Sequence, residues 1–215
     1  ENEYVYDLTV EHSNFTANNI IIHNSHTISC LLEELLERKK ENGRMAIVVF
    51  DVHGEYTHFA EPVSDPKFTD YSGKTRLIRA RDLKIGVPKL SVGMFGALLP
   101  NASPAQKREL GKVIHSLQQK MKDGLGPYDL QDIKGGLLEE LSSKDAKDSV
   151  IQALIGWIHE LEDLRLFGKA DNPSLMDLIQ PGILTVVDLS DIIHTHKKQV
   201  IVGYLAQRIF NELRN

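Results

Sequence analysis

Two stretches of the chain constrain the fold more than any others, because each is a run of apolar residues that ends in aspartate. They are MAIVVFD at 45–51 and ILTVVDLS at 183–190. A continuous apolar run of this length is typical of a strand that is buried on both faces of a parallel sheet. Parallel strands are joined by long crossovers, usually helices. The two runs therefore predict an α/β protein with Asp51 and Asp188 near strand ends.

Helical periodicity occupies much of the remaining sequence. A helix that begins at Ser25 would stop near Gly43, and a helical block would span 104–122, 129–142 and 145–166. The first helix would bury one apolar face: Ile28, Leu31, Leu32, Leu35 and Leu36. The block is interrupted by the glycines at 124–126 and at 135–136, TRLIRA (75–80) is a further strand, and a last helix covers about 191–214. We expect a sheet core with a helical insertion at about 100–170.

Composition excludes several classes of protein. The 215 residues are 41% hydrophobic and 26% charged, which is ordinary for a globular domain. The formal charge of −5 argues against a uniformly basic surface, although a local patch or a ring of subunits could still bind DNA. One cysteine, Cys30, excludes an internal disulfide framework and fits a reducing cytoplasm. No run approaches the roughly 20 apolar residues of a membrane span, so a membrane is not an expected partner.

The segment before Ser25 has a different character and carries its own chemistry. Residues 3–10 and 18–23 are predicted strands, and the second leads into His23-Asn24-Ser25. A serine hydroxyl can accept an acyl group, and an asparagine amide can cyclise onto its own carbonyl and cut the following bond. His23 is placed to protonate or polarise that bond. These three residues predict self-excision at Asn24–Ser25, although a simple turn is the alternative for such a short motif.

The longer stretch VYDLTVEHSNFTANNIIIHNS (5–25) resembles the C-terminal splicing region of inteins, which have a Hint-type fold. The resemblance implies that residues 1–24 are an intein segment with catalytic residues His23, Asn24 and Ser25, assisted by Asp7. The histidine that many inteins place before Asn-Phe is Ser13 here, and His12 lies one position earlier.

Residues 25–51 have the order expected after a phosphate-binding loop, which is a helix followed by a buried strand. If a glycine-rich segment ending in Gly-Lys were spliced onto Ser25, the joined sequence would form a P-loop. Its backbone amides would bind phosphates at the helix N-terminus, and Ser25 would be a Mg²⁺ ligand. Asp51 would lie at the carboxyl edge of the sheet, where α/β proteins bind ligands, with Gly54 and Glu55 just beyond it. The structural alternative is an Asp51 that caps a surface turn.

The motifs SHTISCLLEELL (25–36), AIVVFDVHGEY (46–56) and ILTVVDLSDI (183–192) together resemble the HerA-type DNA translocases, archaeal relatives of the FtsK-like pumps. The resemblance covers 25–215 and implies a RecA-like P-loop domain. It assigns Ser25, His26, Thr27, Asp51, His53, Gly54 and Glu55 to the nucleotide site. It further implies ATP and Mg²⁺ as cofactors, double-stranded DNA as substrate, a homo-hexamer, and a nuclease partner of the NurA type in DNA end processing and repair.

The same resemblance predicts that essential parts lie outside residues 1–215. The P-loop glycines and lysine would precede the intein, and the hydrolytic glutamate and arginine fingers would follow Asn215. We therefore expect this fragment alone to be inactive as an ATPase. The alternatives are an autoprocessing segment with unrelated cargo, a conjugation or secretion pump of the same superfamily, and an interaction module without a nucleotide site.

Overall fold

The computed structural model describes residues 14–17, 20–99, 101–142 and 148–212. The strands are β1 (Asn14–Ala17), β2 (Ile20–His23), β3 (Ile47–Asp51), β4 (Thr75–Arg79), β5 (Ile85–Gly86), β6 (Phe167–Gly168) and β7 (Leu184–Asp188). The helices are α1 (Asn24–Glu37), α2 (Val92–Leu98), α3 (Pro104–Lys120), α4 (Leu130–Leu141), α5 (Asp148–Asp163), α6 (Leu175–Leu178) and α7 (Thr195–Glu212). None of the helices in these ranges has both the length and the apolar content that spanning a bilayer requires.

The chain divides into two compact units: Glu1–Leu77 with Ile179–Ser190, and Ile78–Leu178 with Asp191–Asn215. A three-stranded sheet in the order β3-β7-β4 belongs to the first unit, except for Ile78 and Arg79 at the end of β4, which belong to the second. β3 and β7 are parallel, with a register that runs from Ile47 opposite Leu184 to Asp51 opposite Asp188. This pairing confirms the predicted α/β class with parallel strands.

The two apolar strands differ in their burial. All five residues of β7 are buried, as the sequence predicts. In β3 only Asp51 is buried, and residues 47–50 are half-buried. The prediction that both strands are buried on both faces is therefore wrong for β3, because β3 is at an edge of the described sheet and β7 is at its centre.

Helix α1 covers one face of this sheet, and two leucines one turn apart make the contact. Leu32 and Leu36 are 4% and 3% exposed and belong to the core of the first unit. That core also contains Phe59, Tyr71, Leu184 and Val186, with Ile47, Val49, Tyr56 and Leu77 packed around it. Ile28 and Leu31 are 41% and 52% exposed, so the predicted apolar face is wrong for these two residues. They lie outside the narrow apolar stripe, formed by Leu32 and Leu36 four residues apart, through which α1 contacts the sheet.

A short hairpin precedes α1. β1 and β2 pair antiparallel, with Asn14 opposite His23 and Ala17 opposite Ile20. The second strand ends at His23, and helix α1 begins at the next residue, Asn24. The predicted strand at 18–23 is thus present at Ile20–His23, whereas the predicted strand at 3–10 lies outside the described residues.

The second unit contains the predicted helical block as α3, α4 and α5. Ser103 and Asp129 each form a capping box, with Gln106 and Asp132 respectively, which fixes where α3 and α4 begin. The expected interruption after α3 is present, since Gly124 has a φ of +92° in the turn that follows it. Gly135-Gly136, in contrast, does not interrupt α4. A Cβ on Gly136 would lie 2.6 Å from Val113 Cγ1, so this glycine allows α3 and α4 to pack closely.

Candidate functional site

The carboxylate of Asp51 is bonded to the loop that follows β3. Its Oδ1 accepts hydrogen bonds from the backbone N–H groups of His53 (3.3 Å), Gly54 (2.7 Å) and Glu55 (3.0 Å). Its Oδ2 accepts a fourth from the N–H of Tyr56 (2.8 Å). Because Asp51 is only 2% exposed, these bonds replace water around a buried charge. Asp51 therefore caps the turn that follows β3, as the structural alternative in the sequence analysis expected.

The result is a tight turn that presents several side chains to solvent. Gly54 has a φ of +79°, a conformation that glycine adopts without strain. Thr57 Oγ1 donates to the Gly54 carbonyl (3.2 Å), and His58 Nδ1 lies 2.8 Å from the Glu55 carbonyl oxygen. The side chains of His53 and Glu55 are exposed. The structure thus brings together four of the predicted site residues, with Asp51 positioning the loop on which His53 and Glu55 are exposed.

A second aspartate lies opposite the first at the same edge of the sheet. Asp188 is 7% exposed, and its Oδ1 accepts hydrogen bonds from the N–H and the hydroxyl of Ser190 (3.0 and 2.6 Å). A Cβ on Gly54 would come within 3.3 Å of Ser190 Cβ and Oγ, so the two turns are in contact. The sequence prediction did not assign Asp188 or Ser190 to the site. The signal was present, since both apolar runs end in aspartate.

The first turn of α1 supplies the other predicted group, Ser25, His26 and Thr27. The first N–H groups of a helix have no partner within it and favour anions. Leu32 and Leu36, in the second half of α1, belong to the core against which Ile47 and Val49 of β3 pack. His26 and Thr27 are exposed, and His26 Nε2 lies 3.8 Å from Cys30 Sγ. No hydrogen bond described for His26 or Thr27 joins them to the 52–56 loop.

The atoms at the sheet edge and at the start of α1 determine which ligand this site could bind. The described residues contain no cluster of three His, Cys, Asp or Glu side chains that could bind a metal ion unaided. A nucleotide-bound Mg²⁺ does not need such a cluster, since it takes one or two protein oxygens and fills the remaining positions with phosphates and water. A site that uses helix N–H groups, one hydroxyl and a loop carboxylate is therefore compatible with a magnesium nucleotide.

The predicted splicing residues occupy the boundary between strand and helix. His23 ends β2, Asn24 is the first residue of α1, and Ser25 follows in its first turn. The assisting Asp7, together with His12 and Ser13, lies outside the described residues. The boundary between β2 and α1 thus falls within the predicted splicing motif.

Comparison with known proteins gives one result. The family described as helicase HerA, central domain, matches residues 25–209. The match begins at Ser25, and it contains both apolar strands and the Asp51 loop. No curated protein matches the chain at a significant level. Since the match covers most of the sequence, this chain belongs to the family of the helicase HerA central domain, a family of P-loop ATPases of the HerA and FtsK type.

Proposed function

We propose that residues 25–215 are part of an ATP-dependent translocase or helicase that moves along double-stranded DNA in end processing and repair. The observation that carries this proposal is the Asp51 loop. Four backbone N–H groups bonded to one buried carboxylate hold His53 and Glu55 at the carboxyl edge of a parallel sheet. Family membership supplies the reaction, and this edge is where an α/β sheet binds a ligand.

In this proposal the two groups at the edge have different tasks. The first turn of α1 binds phosphate through its backbone N–H groups, and the Ser25 hydroxyl ligates Mg²⁺. His53 and Glu55 approach the nucleotide from the loop, and Asp51 acts through them as a positioning residue. The working protein would be a homo-hexamer that acts on duplex DNA beside a nuclease of the NurA type.

The test is DNA-stimulated ATP hydrolysis by the complete protein that contains residues 25–215. We expect Glu55→Gln to lower the rate at least roughly tenfold, because glutamine can neither accept a proton from the attacking water nor offer a negative oxygen to Mg²⁺. Glu160→Gln is the matched control, since Glu160 is also exposed and lies on α5 in the other unit. Equal rates for both variants would contradict a role for the loop.

Binding can be measured separately from turnover. A ligand at 100 times its Kd stabilises a protein by about 2.7 kcal/mol, so saturating Mg-ATP should raise the Tm of the complete protein. The same shift without any response to DNA would favour a conjugation or secretion pump of this superfamily. No shift at all would favour the interaction module.

We further propose that residues 1–24 are the end of an intein that excises itself at the Asn24–Ser25 bond. The support is the resemblance of residues 5–25 to intein C-terminal splicing regions, in which a second strand leads into the terminal His-Asn, as β2 does here. Replacing Asn24 by alanine in the full precursor should leave it unspliced, since the alanine side chain cannot cyclise. Asn42→Ala, an exposed position after α1, should splice normally. Ligated product from the Asn24 variant would refute the proposal.

A further inference from the structure

A groove in the first unit lies between α1 and the segment that follows the Asp51 loop. It has a volume of about 500 Å³, within the range of roughly 300–1,000 Å³ typical of ligand clefts. One wall is the outer side of α1, and the other is the segment 58–71. The base is formed by Phe59 and Tyr71, which are 4% and 8% exposed and whose ring centroids lie 5.9 Å apart.

The groove combines apolar surface with negative charge. Glu33 and Glu37 stand one turn apart on α1, and Glu61 lies on the facing segment. Val63 and Phe68 also line it and are 39% and 68% exposed. Exposure of the Phe68 ring to water is unfavourable, and a partner that covers the ring would gain the free energy of burying it.

The charge balance in the groove is negative. Against the three carboxylates the lining contains one ammonium group, Lys67, so the lining carries two net negative charges when His58 is neutral. The buried phenol of Tyr71 responds to this charge. Its pKa is raised to about 12, first by burial and then by its hydrogen bond to Glu37 Oε1 (2.7 Å), with further contributions from the charges of Glu37 and Glu33.

The exposed wall of the groove is held in place by its own hydrogen bonds. Asp65 Oδ1 accepts from the N–H of Lys67 (3.0 Å), and Asp70 Oδ1 accepts from the N–H of Ser72 (2.9 Å). The pKa of Asp70 is lowered, chiefly by that bond from Ser72. Phe68 is therefore presented on a shaped loop, and a partner need not order a flexible segment in order to bind it.

We propose that this groove docks a basic segment of a partner protein in which arginine or lysine alternates with apolar side chains. The carboxylates of Glu33, Glu37 and Glu61 would pair with the cations, and Phe68 would stack against a guanidinium group or pack against an apolar side chain. Duplex DNA is excluded as the occupant because its phosphates would meet carboxylates. The proposal does not depend on the nucleotide site.

The test uses the complete protein that contains residues 25–215 and a labelled, capped eight-residue peptide of alternating arginine and leucine. Binding is followed by fluorescence anisotropy at low salt, with the glutamate–leucine peptide as the control probe. We expect saturable binding of the basic peptide only. The double variant Glu33→Gln, Glu61→Gln should weaken it about fivefold or more, and Phe68→Ala should weaken it about twofold to fivefold. Lys67→Gln, which removes the opposing charge, should tighten it.

Matched variants separate the groove from general attraction to an acidic protein. Glu34 is exposed on the same helix but does not line the groove, so Glu34→Gln should leave the Kd unchanged. Equal weakening by Glu34→Gln and by Glu33→Gln would overturn the proposal, and so would absence of binding. A short duplex DNA can be added as a competitor of the peptide. If the DNA displaces the peptide, and does so better from the double variant Glu33→Gln, Glu61→Gln, the occupant is nucleic acid and the proposal is overturned.

Discussion

The ends of β3 and β7 look alike in sequence but are built differently. Both strands end in a buried aspartate, and the two residues are paired in the register of the sheet. Asp51 accepts four backbone hydrogen bonds through both of its oxygens, whereas Asp188 accepts two through Oδ1, both from Ser190. One carboxylate therefore determines the conformation of a whole loop, and the other fixes a single residue.

This difference has a consequence for function. A carboxylate whose oxygens are occupied by backbone N–H groups is a poor candidate for direct contact with a metal or phosphate, and its influence passes through the loop that it holds. At this edge, His53 and Glu55 in the loop after β3 are exposed, and so is Ser190 after β7. The contrast between the two aspartates can be tested by substitutions at each end.

The largest effect is expected for Asp51→Ala. It leaves four loop N–H groups without their acceptor, and hydrogen bonds to a buried charge contribute more than neutral ones, so we expect a loss of about 4 kcal/mol in the free energy of unfolding. Urea unfolding measures the loss, and faster hydrogen exchange at residues 53–56 would locate it. Asp65→Ala is the control, because Asp65 caps its own turn at an exposed position and should cost under about 1 kcal/mol. Equal losses would show that the burial of Asp51 contributes nothing.

Gly54→Ala should have the second largest effect, about 2 kcal/mol. Alanine at a φ of +79° is strained, and its Cβ would lie 3.3 Å from the side chain of Ser190. Gly43→Ala separates the two causes, because Gly43 has a φ of +74° with no atom near its missing Cβ. That control should cost about 1 kcal/mol. If thermal unfolding shows the same loss of stability for both variants, the turn after β3 is not in tight contact with the turn after β7.

Much of the first unit could be predicted from sequence because the signals are local. Apolar runs predicted β3 and β7 within two residues of their observed bounds, and a period of 3.6 predicted α1 and, in the second unit, the helical block. The burial of β3 could not be read in this way. Whether a strand is central or at an edge depends on which strands pair with it, and that is a long-range property.

The site shows the same limit. The position of Asp51 at a strand end was predictable, and so was the nearby Gly54. The direction of the Asp51 carboxylate could not be predicted. It depends on where four successive backbone N–H groups point once Gly54 takes a positive φ. The groove beside α1 was missed as well, since Glu33 and Glu37 look like an ordinary solvated face until Phe68 is brought opposite them.

The predicted loss is smaller for Asp188→Ala, at about 1.5 kcal/mol. Two hydrogen bonds disappear, but Ser190 is exposed, so water can replace the lost acceptor. Asp188→Asn should cost less, because the amide oxygen can still accept from the Ser190 N–H. Chemical denaturation of Asp51→Ala and Asp188→Ala under the same conditions checks the order. A larger loss at Asp188 would reverse the assignment of the two ends.

The smallest effect is expected for Ser190→Ala, about 0.5–1 kcal/mol, since it removes one hydroxyl bond of 2.6 Å and leaves the N–H bond to Asp188 in place. Ser64→Ala, in the exposed loop of the first unit, should change the free energy of unfolding by only a few tenths. The informative measurement is the double variant with Gly54→Ala. If Ser190 crowds the new methyl group, removing its hydroxyl should recover part of the Gly54→Ala loss, and the two changes will not add. Strict additivity would mean that the turns after β3 and β7 are independent, and the edge would then be two separate loops instead of one site.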